Sequence, residues 1–126
     1  MPASFDYTVI RVVPRVERQE FINAGVVVFC PEKRYLAARI HLDEQRLHAL
    51  WPEAEADVVG AHLKAFELIC AGDESAGSIA KLSQRERFHW LSSPRSTIIQ
   101  PSPVHTGVCD DTGKLLDRLA NQFLLV

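Results

Sequence analysis

The residues best suited to chemistry in this 126-residue chain lie at the start of its most apolar stretch. Arg18, Glu20 and Asn23 lead into the run Ile22–Cys30, where Gly25 weakens a strand unless another segment approaches it closely. A guanidinium can hold an anion, and a carboxylate or amide can orient the rest of a ligand. The segment therefore indicates either a ligand pocket, or a structural element in which Arg18 pairs with Glu20 and Asn23 forms a turn or bulge.

Arg11 is a second candidate, because it lies in the middle of a strand predicted over Phe5–Val13. A charged group inside an apolar strand needs a partner. That partner is either a carboxylate, supplied by Glu17 or Glu20, or an anion bound from outside. The ion pair is the favoured alternative, because buried polar groups usually serve the fold before they serve chemistry.

The third candidate segment is Arg87–Trp90, which combines a guanidinium, an imidazole and two aromatic rings. Such a mixture can clamp a phosphate or stack on a base. Residues 83–97 contain three arginines against one acidic residue, which is compatible with a local anion site. The alternative is an amphipathic helical turn with its rings in the core and its charges in solvent. The candidate binding residues are Arg11, Arg18, Glu20, Asn23, Arg87 and His89.

Recognised catalytic and cofactor motifs are absent from the sequence. It contains no Walker A loop, no GxGxxG, no HExxH, no GxSxG and no EF-hand loop. No residue pair supplies a nucleophile with an adjacent base at a recognisable spacing. The five histidines show no metal-ligand spacing. We therefore expect no cofactor and no metal, and we favour a protein that is not an enzyme.

Charge and cysteine content restrict the partners and the compartment. A net charge of −2, from 14 basic and 16 acidic residues, provides no general field for nucleic acid or an anionic membrane. Three widely spaced cysteines without a CxxC motif predict reduced core thiols. The N-terminus lacks a signal-peptide pattern, and no apolar run approaches the ~20 residues of a membrane span. The sequence therefore predicts a cytoplasmic protein that binds neither membranes nor, in general, nucleic acid.

Hydrophobic periodicity predicts the elements that position these residues. Three strands in a row with short connections predict an antiparallel meander. The predicted strands are Phe5–Val13, Ile22–Cys30, Tyr35–Leu42 and Ser96–Gln100, with a turn-rich segment over Pro101–Gly113. The predicted helices run from the Asp43 cap to Leu50, over Glu53–Ala71, from the Ser83 cap towards Leu91, and from Asp110 or Asp111 to about Leu125. This order favours a single α+β domain over residues 1–126, with an antiparallel sheet of three or four strands and three or four helices.

Two segments resemble one protein family. They are Tyr7-x-x-x-Arg11-x-x-Pro14 with Arg18-x-Glu20-Phe21-x-Asn23-x-Gly25-Val26-x-Val28, and Arg87-Phe88-x-Trp90-Leu91 with Ser96-Thr97 and Gln100-x-Ser102-Pro103-x-His105-x-Gly107. The pattern resembles the small bacterial proteins catalogued as domain of unknown function 3037, which usually have a small residue where this chain has Gln19. The resemblance implies no established activity. It does imply a partner of a HipA-like kinase in a toxin–antitoxin or stress system, because genes of that family often lie beside genes for such kinases.

Two functional hypotheses follow, and they differ in geometry. The first is a non-enzymatic module that binds a protein partner, with homo-oligomer formation as a further option. The alternative is a phosphate- or nucleotide-binding enzyme whose pocket unites the six candidate residues. If these residues lie more than about 10 Å apart, beyond hydrogen-bond reach even through water, the shared pocket is excluded. Convergence in one concave pocket would instead favour the enzyme.

Overall fold

A five-stranded antiparallel sheet organises residues 1–125, the part of the chain that this computed structural model describes. In chain order its strands are β1 (Ala3–Val12), β2 (Ile22–Cys30), β3 (Tyr35–Ile40), β4 (Ile99–Pro101) and β5 (His105–Cys109). The helices are α1 (Glu44–Leu50), α2 (Ala56–Ala71), α3 (Gln84–Ser92) and α4 (Thr112–Phe123). The spatial order is β3-β2-β1, and both β4 and β5 pair with the far edge of β1. The predicted α+β class and N-terminal meander are confirmed.

Strand β2 is apolar along most of its length because both faces of the sheet are covered. Val27 and Phe29 face the core formed with α2 and α3. Val26 and Val28 face a second core, formed with α4. All four are buried, which explains an apolar run without the usual alternation of polar residues. The sheet thus separates two layers of helices.

The signature segment at the start of β2 contains a β-bulge. Ile10 pairs with Gly25, but the next pair along β1 is Arg11 with Asn23. Ala24 is therefore the extra residue on β2, and the structural interpretation of this segment as a bulge is confirmed. The bulge places Asn23 directly opposite Arg11.

Gly25 lies tightly between β1 and β3. A Cβ atom at Gly25 would lie 3.3 Å from both the Arg39 carbonyl oxygen and the Ile10 Cβ atom, which the sheet holds in place, and 2.7 Å from the end of the Ile40 side chain. Gly25→Ala is therefore expected to lower the free energy of unfolding by about 1–3 kcal/mol. In the matched control, Gly60→Ala within α2, a new Cβ meets no atom within 4 Å. This change should raise the free energy of unfolding by about 0.5–1 kcal/mol. Urea denaturation measures both, and shifts of the same sign would contradict the close approach.

The segment after β4 differs from the prediction. The sequence predicts a turn-rich connection over Pro101–Gly113, but β5 forms within it and pairs with Ala3–Tyr7 of β1. Strand β4 is also displaced from the predicted Ser96–Gln100 and is only three residues long. Both strands are specified by pairing with a distant partner, which local propensity does not reveal. The other predicted elements differ from the structure only at their ends.

Ser102 joins the two short strands to β1. Its Oγ atom accepts a hydrogen bond from the Val9 N–H at 2.8 Å, and its own N–H donates to the Val9 carbonyl oxygen at 2.8 Å. The buried Thr8 hydroxyl donates to the Ser102 carbonyl oxygen at 2.8 Å. Hydrogen bonding along this edge of β1 therefore continues through the gap between β4 and β5. It holds both short strands against β1.

The cysteines are free thiols, and two of them belong to the core. Cys30 and Cys70 are buried, as predicted, whereas Cys109 in β5 is half-buried. Burial raises the pKa of the Cys70 thiol to about 12, because desolvation disfavours the thiolate. Cys70 therefore stays protonated and behaves as a small apolar side chain. Within residues 1–125, each helix is too short or too polar to cross a bilayer.

Candidate anion-binding site

Two arginines line one cleft beside the paired ends of β1 and β4. The cleft has a volume of about 320 Å³. It is lined by Arg11, Gln19, Phe21, Arg95, Ser96 and Gln100, together with Val13 and Val16. We refer to it as the Arg11–Arg95 cleft. Its lining within residues 1–125 includes no acidic side chain, so the two positive charges are not neutralised there.

Strand β1 and its neighbours position Arg11. It lies between Asn23 of β2 and Gln100 of β4, with which it pairs. Its guanidinium carbon lies 4.3 Å from the centroid of the Phe21 ring, a cation–π contact. Its Nε atom is buried and has no hydrogen-bond partner in the described part of the chain. Arg11 is thus held in place by packing and retains an unused donor.

Arg95 enters the cleft from the connection between α3 and β4. Its guanidinium carbon lies 4.3 Å from the Trp90 ring centroid and 5.1 Å from that of Phe66. Its Nη2 group donates to the Trp90 carbonyl oxygen, while Nη1 is buried without a partner among residues 1–125. Burial lowers the pKa of Arg95, because desolvation disfavours the charged form. A guanidinium nevertheless stays protonated at neutral pH.

The unpartnered nitrogens are the distinguishing feature of the site. In the described chain, two buried side-chain polar atoms lack a partner, Arg11 Nε and Arg95 Nη1, and both belong to residues that line the same cleft. A buried donor without an acceptor costs free energy, more so when it is charged. Phosphate and carboxylate oxygens are the acceptors that match guanidinium donors best. The arrangement is therefore chemically suited to an anion.

The turn before β2 adds Gln19 to the lining. Gln19 ends the short 3₁₀ turn Val16–Arg18 and has a left-handed backbone with φ of 58°. That conformation favours glycine, so a larger side chain is uncommon there. The tight turn forms in this chain despite the larger side chain, and it brings an amide group to the cleft.

The acidic residues predicted to pair with Arg11 bind other arginines. Glu20 accepts from Arg18 Nε at 2.5 Å, and Glu17 accepts from Arg15 Nε at 2.9 Å. The hydrogen bond from Arg18 lowers the pKa of Glu20. The predicted Arg18–Glu20 pair is confirmed, and it lies on the surface. The predicted ion pair of Arg11 is wrong, because the turn holds both carboxylates against nearer guanidinium groups.

Arg87 supports the end of a helix. Its Nη1 group donates to the Ile69 and Cys70 carbonyl oxygens at 2.8 and 2.9 Å, and its Nε donates to the Leu82 carbonyl oxygen at 3.0 Å. The last carbonyls of α2 have no partners within the helix, and a cation there is favourable. The structure thus gives Arg87 a structural role.

The six candidates do not meet in one pocket. Asn23 donates through Nδ2 to the Phe123 carbonyl oxygen at 3.4 Å, on the α4 side of the sheet. Arg87 bonds to α2 on the opposite side, and His89 is exposed on α3. Of the six, the cleft includes Arg11 alone. The expectation of one pocket that unites them is therefore wrong, because the sheet separates Asn23 on one side from Arg87 on the other.

Arg95 was not singled out from the sequence. It follows Pro94 in a connection without periodic pattern, where no element assignment draws attention to it. The sequence signal that points to Arg95 is the excess of arginine over residues 83–97, which contain a single acidic residue. Two arginines of that stretch have structural or surface positions, and Arg95 alone lines the cleft.

Both resembling segments contribute to the cleft, with Arg11 and Phe21 from the first and Ser96 and Gln100 from the second. A family model described as "Protein of unknown function (DUF3037)" matches residues 7–124. The chain belongs to this family. The DUF3037 match includes every residue that lines the cleft. No curated protein and no solved structure matches the chain significantly.

Proposed function

We propose that this DUF3037 domain is a binding module that holds an anionic group of its partner, a phosphate or a carboxylate, in the Arg11–Arg95 cleft. One observation carries the proposal: the two buried guanidinium nitrogens without acceptors both belong to residues that line this cleft. A buried donor left without an acceptor disfavours the folded state by about 1–3 kcal/mol. Two such donors on neighbouring arginines are therefore better explained by a ligand than by folding.

The lining favours binding over acid–base catalysis. Its polar side chains are two guanidinium groups, two amides and one hydroxyl, from Arg11, Arg95, Gln19, Gln100 and Ser96. These groups form hydrogen bonds but do not titrate near neutral pH. The non-enzymatic module is therefore the function that we propose, and the phosphate or nucleotide ligand of the alternative hypothesis enters it as one source of the anion.

The partner and the compartment are predicted from other features than the cleft. The family resemblance predicts a HipA-like kinase as partner, and the sequence predicts the cytoplasm as compartment. A phosphorylated side chain of a protein partner would present three strong acceptor oxygens, which is the chemistry that two arginines recognise. A protein partner is therefore compatible with the anion that we propose.

Titration with inorganic phosphate tests the proposal, with acetate as the carboxylate arm. We expect saturable binding with a dissociation constant on the order of 1 mM, equivalent to about −4 kcal/mol, which weakens as sodium chloride is added. The matched control is Arg18→Gln, which removes an exposed arginine outside the cleft and should leave the affinity unchanged. The absence of saturable binding by both anions, or its loss in Arg18→Gln, would contradict the proposed function.

A further inference from the structure

A second cleft adjoins the Arg11–Arg95 cleft, and a third cleft adjoins the second. The second, the aromatic cleft, has a volume of about 340 Å³, contains Phe66 and Trp90, and shares Arg95 with the Arg11–Arg95 cleft. The third, the acidic cleft, has a volume of about 380 Å³ and shares Ile98 with the aromatic cleft. Each volume lies at the low end of the range for ligand pockets, about 300–1,000 Å³. An extended molecule that crosses all three would bury more surface than any single cleft offers.

The acidic cleft carries charge opposite to that of the arginines. Glu53 and Glu55 line it, and both are exposed. The ion pairs among residues 1–125 involve neither carboxylate. Charge along the three clefts therefore changes from negative at one end to positive at the other.

The middle of the series is apolar and open to solvent. Ile98, which lines both the aromatic and the acidic cleft, is 41% exposed, and Val58 in the acidic cleft is 48% exposed. Trp51 and Trp90 provide large apolar surfaces in the acidic and the aromatic cleft. Exposed apolar side chains with a polar surround are typical of surfaces that bind another molecule.

We propose that the three clefts together bind an extended peptide segment of a partner protein. In this segment an acidic or phosphorylated residue, an apolar residue and a basic residue follow one another in space. The inference rests on the proposed function, because the anionic residue is the group held by Arg11 and Arg95. The apolar residue contacts Trp90 and Ile98, and the basic residue reaches Glu53 and Glu55.

Charge complementarity selects a peptide over a nucleotide. A nucleotide would supply an anion and a ring, but it offers no cation for the two glutamates. A peptide with both charges is attracted at each end in one orientation and repelled in the other. The order of the charges therefore specifies how the segment lies on the surface.

A peptide series tests the inference by fluorescence anisotropy. The probes are fluorescein-labelled nonapeptides in which phosphoserine or aspartate, leucine and lysine are separated by varied numbers of glycine and serine. Both chain directions are included.

We expect peptides with leucine between the two charges to bind at least about tenfold more tightly than inorganic phosphate, since they add apolar burial. Peptides with leucine replaced by serine, or lysine by glutamate, should lose that gain. The phosphoserine and aspartate series separate the two sources of the anion.

The double variant Glu53→Gln/Glu55→Gln separates this inference from the proposed function. Both side chains are exposed, so the variant should fold normally. We expect it to weaken peptide binding about three- to tenfold, as for exposed ion pairs, and to leave phosphate binding unchanged. If phosphate binds but the peptides bind no better, or the double variant has no effect on them, the inference is wrong while the proposed function stands. AMP binding more tightly than every peptide would likewise overturn it. If phosphate does not bind, the proposed function itself fails.

Discussion

Replacing Arg11 with methionine is expected to weaken phosphate binding by about ten- to hundredfold and to leave the stability of the fold nearly unchanged. Methionine keeps an apolar stem at this half-buried position of β1 and removes the charged group. A hydrogen bond to a charged group contributes about 1.5–3 kcal/mol, which gives the expected loss of affinity. The substitution also removes a buried Nε atom without an acceptor and the contact with Phe21. These effects oppose each other, so we expect a change of less than about 1 kcal/mol in unfolding free energy.

Calorimetric titration of Arg11→Met with phosphate measures the affinity, and urea denaturation of the same variant measures the free energy of unfolding. A variant that binds phosphate normally would contradict the cleft as the site. A loss of more than about 3 kcal/mol of stability would show instead that Arg11 supports the fold, as breaking a satisfied buried pair does. The two measurements together distinguish a binding arginine from a structural one.

Replacing Arg87 with methionine should give the opposite result. Three hydrogen bonds to the Ile69, Cys70 and Leu82 carbonyl oxygens are lost, and the C-terminal end of α2 keeps no cation. We expect the free energy of unfolding to fall by about 1–3 kcal/mol, because three hydrogen bonds from a charged donor are lost and the Cys70 carbonyl becomes unsatisfied, while the Ile69 carbonyl still accepts from the Gly72 N–H. Phosphate affinity of the folded protein should not change, since Arg87 does not line the cleft.

The matched control for Arg87→Met is Arg85→Met in the same helix. Arg85 is exposed, and its guanidinium carbon lies 5.4 Å from the Phe29 ring centroid. Its loss should change stability by less than about 1 kcal/mol, as for other exposed cation–π contacts. Equal destabilisation by the two variants in a denaturant titration would mean that the carbonyl contacts of Arg87 contribute little.

The elements that local chemistry specifies were predictable from the sequence. The uninterrupted apolar run of β2 indicated a strand covered on both faces, and the structure has helices there. Asp43 and Ser83 accept backbone hydrogen bonds at the starts of α1 and α3, and Ser83 forms the predicted capping box with Glu86. Gly72 ends α2 with a left-handed backbone. Each of these signals lies within a few residues of its effect.

The candidate site was only partly predictable, because pairing between distant segments forms it. Arg11 was found from its charge within an apolar strand, but its predicted carboxylate partners are bound to nearer arginines. Arg95 reaches the same cleft only because β4 pairs with β1, and the sequence does not specify that contact. Strand β5 was missed for the same reason, since its partner is the N-terminal part of β1.

The central claim is that Arg11 and Arg95 hold an anion with donors that the fold leaves unused. Its most direct test follows the arginine side-chain N–H resonances by proton–nitrogen correlation NMR during titration with inorganic phosphate. Resonances are assigned from the Arg11→Met and Arg95→Met variants. We predict saturable shifts of the Arg11 and Arg95 signals, with one common dissociation constant, while those of Arg18 and Arg87 stay in place. Shifts confined to Arg18 or other exposed arginines, or none at all, would contradict the account.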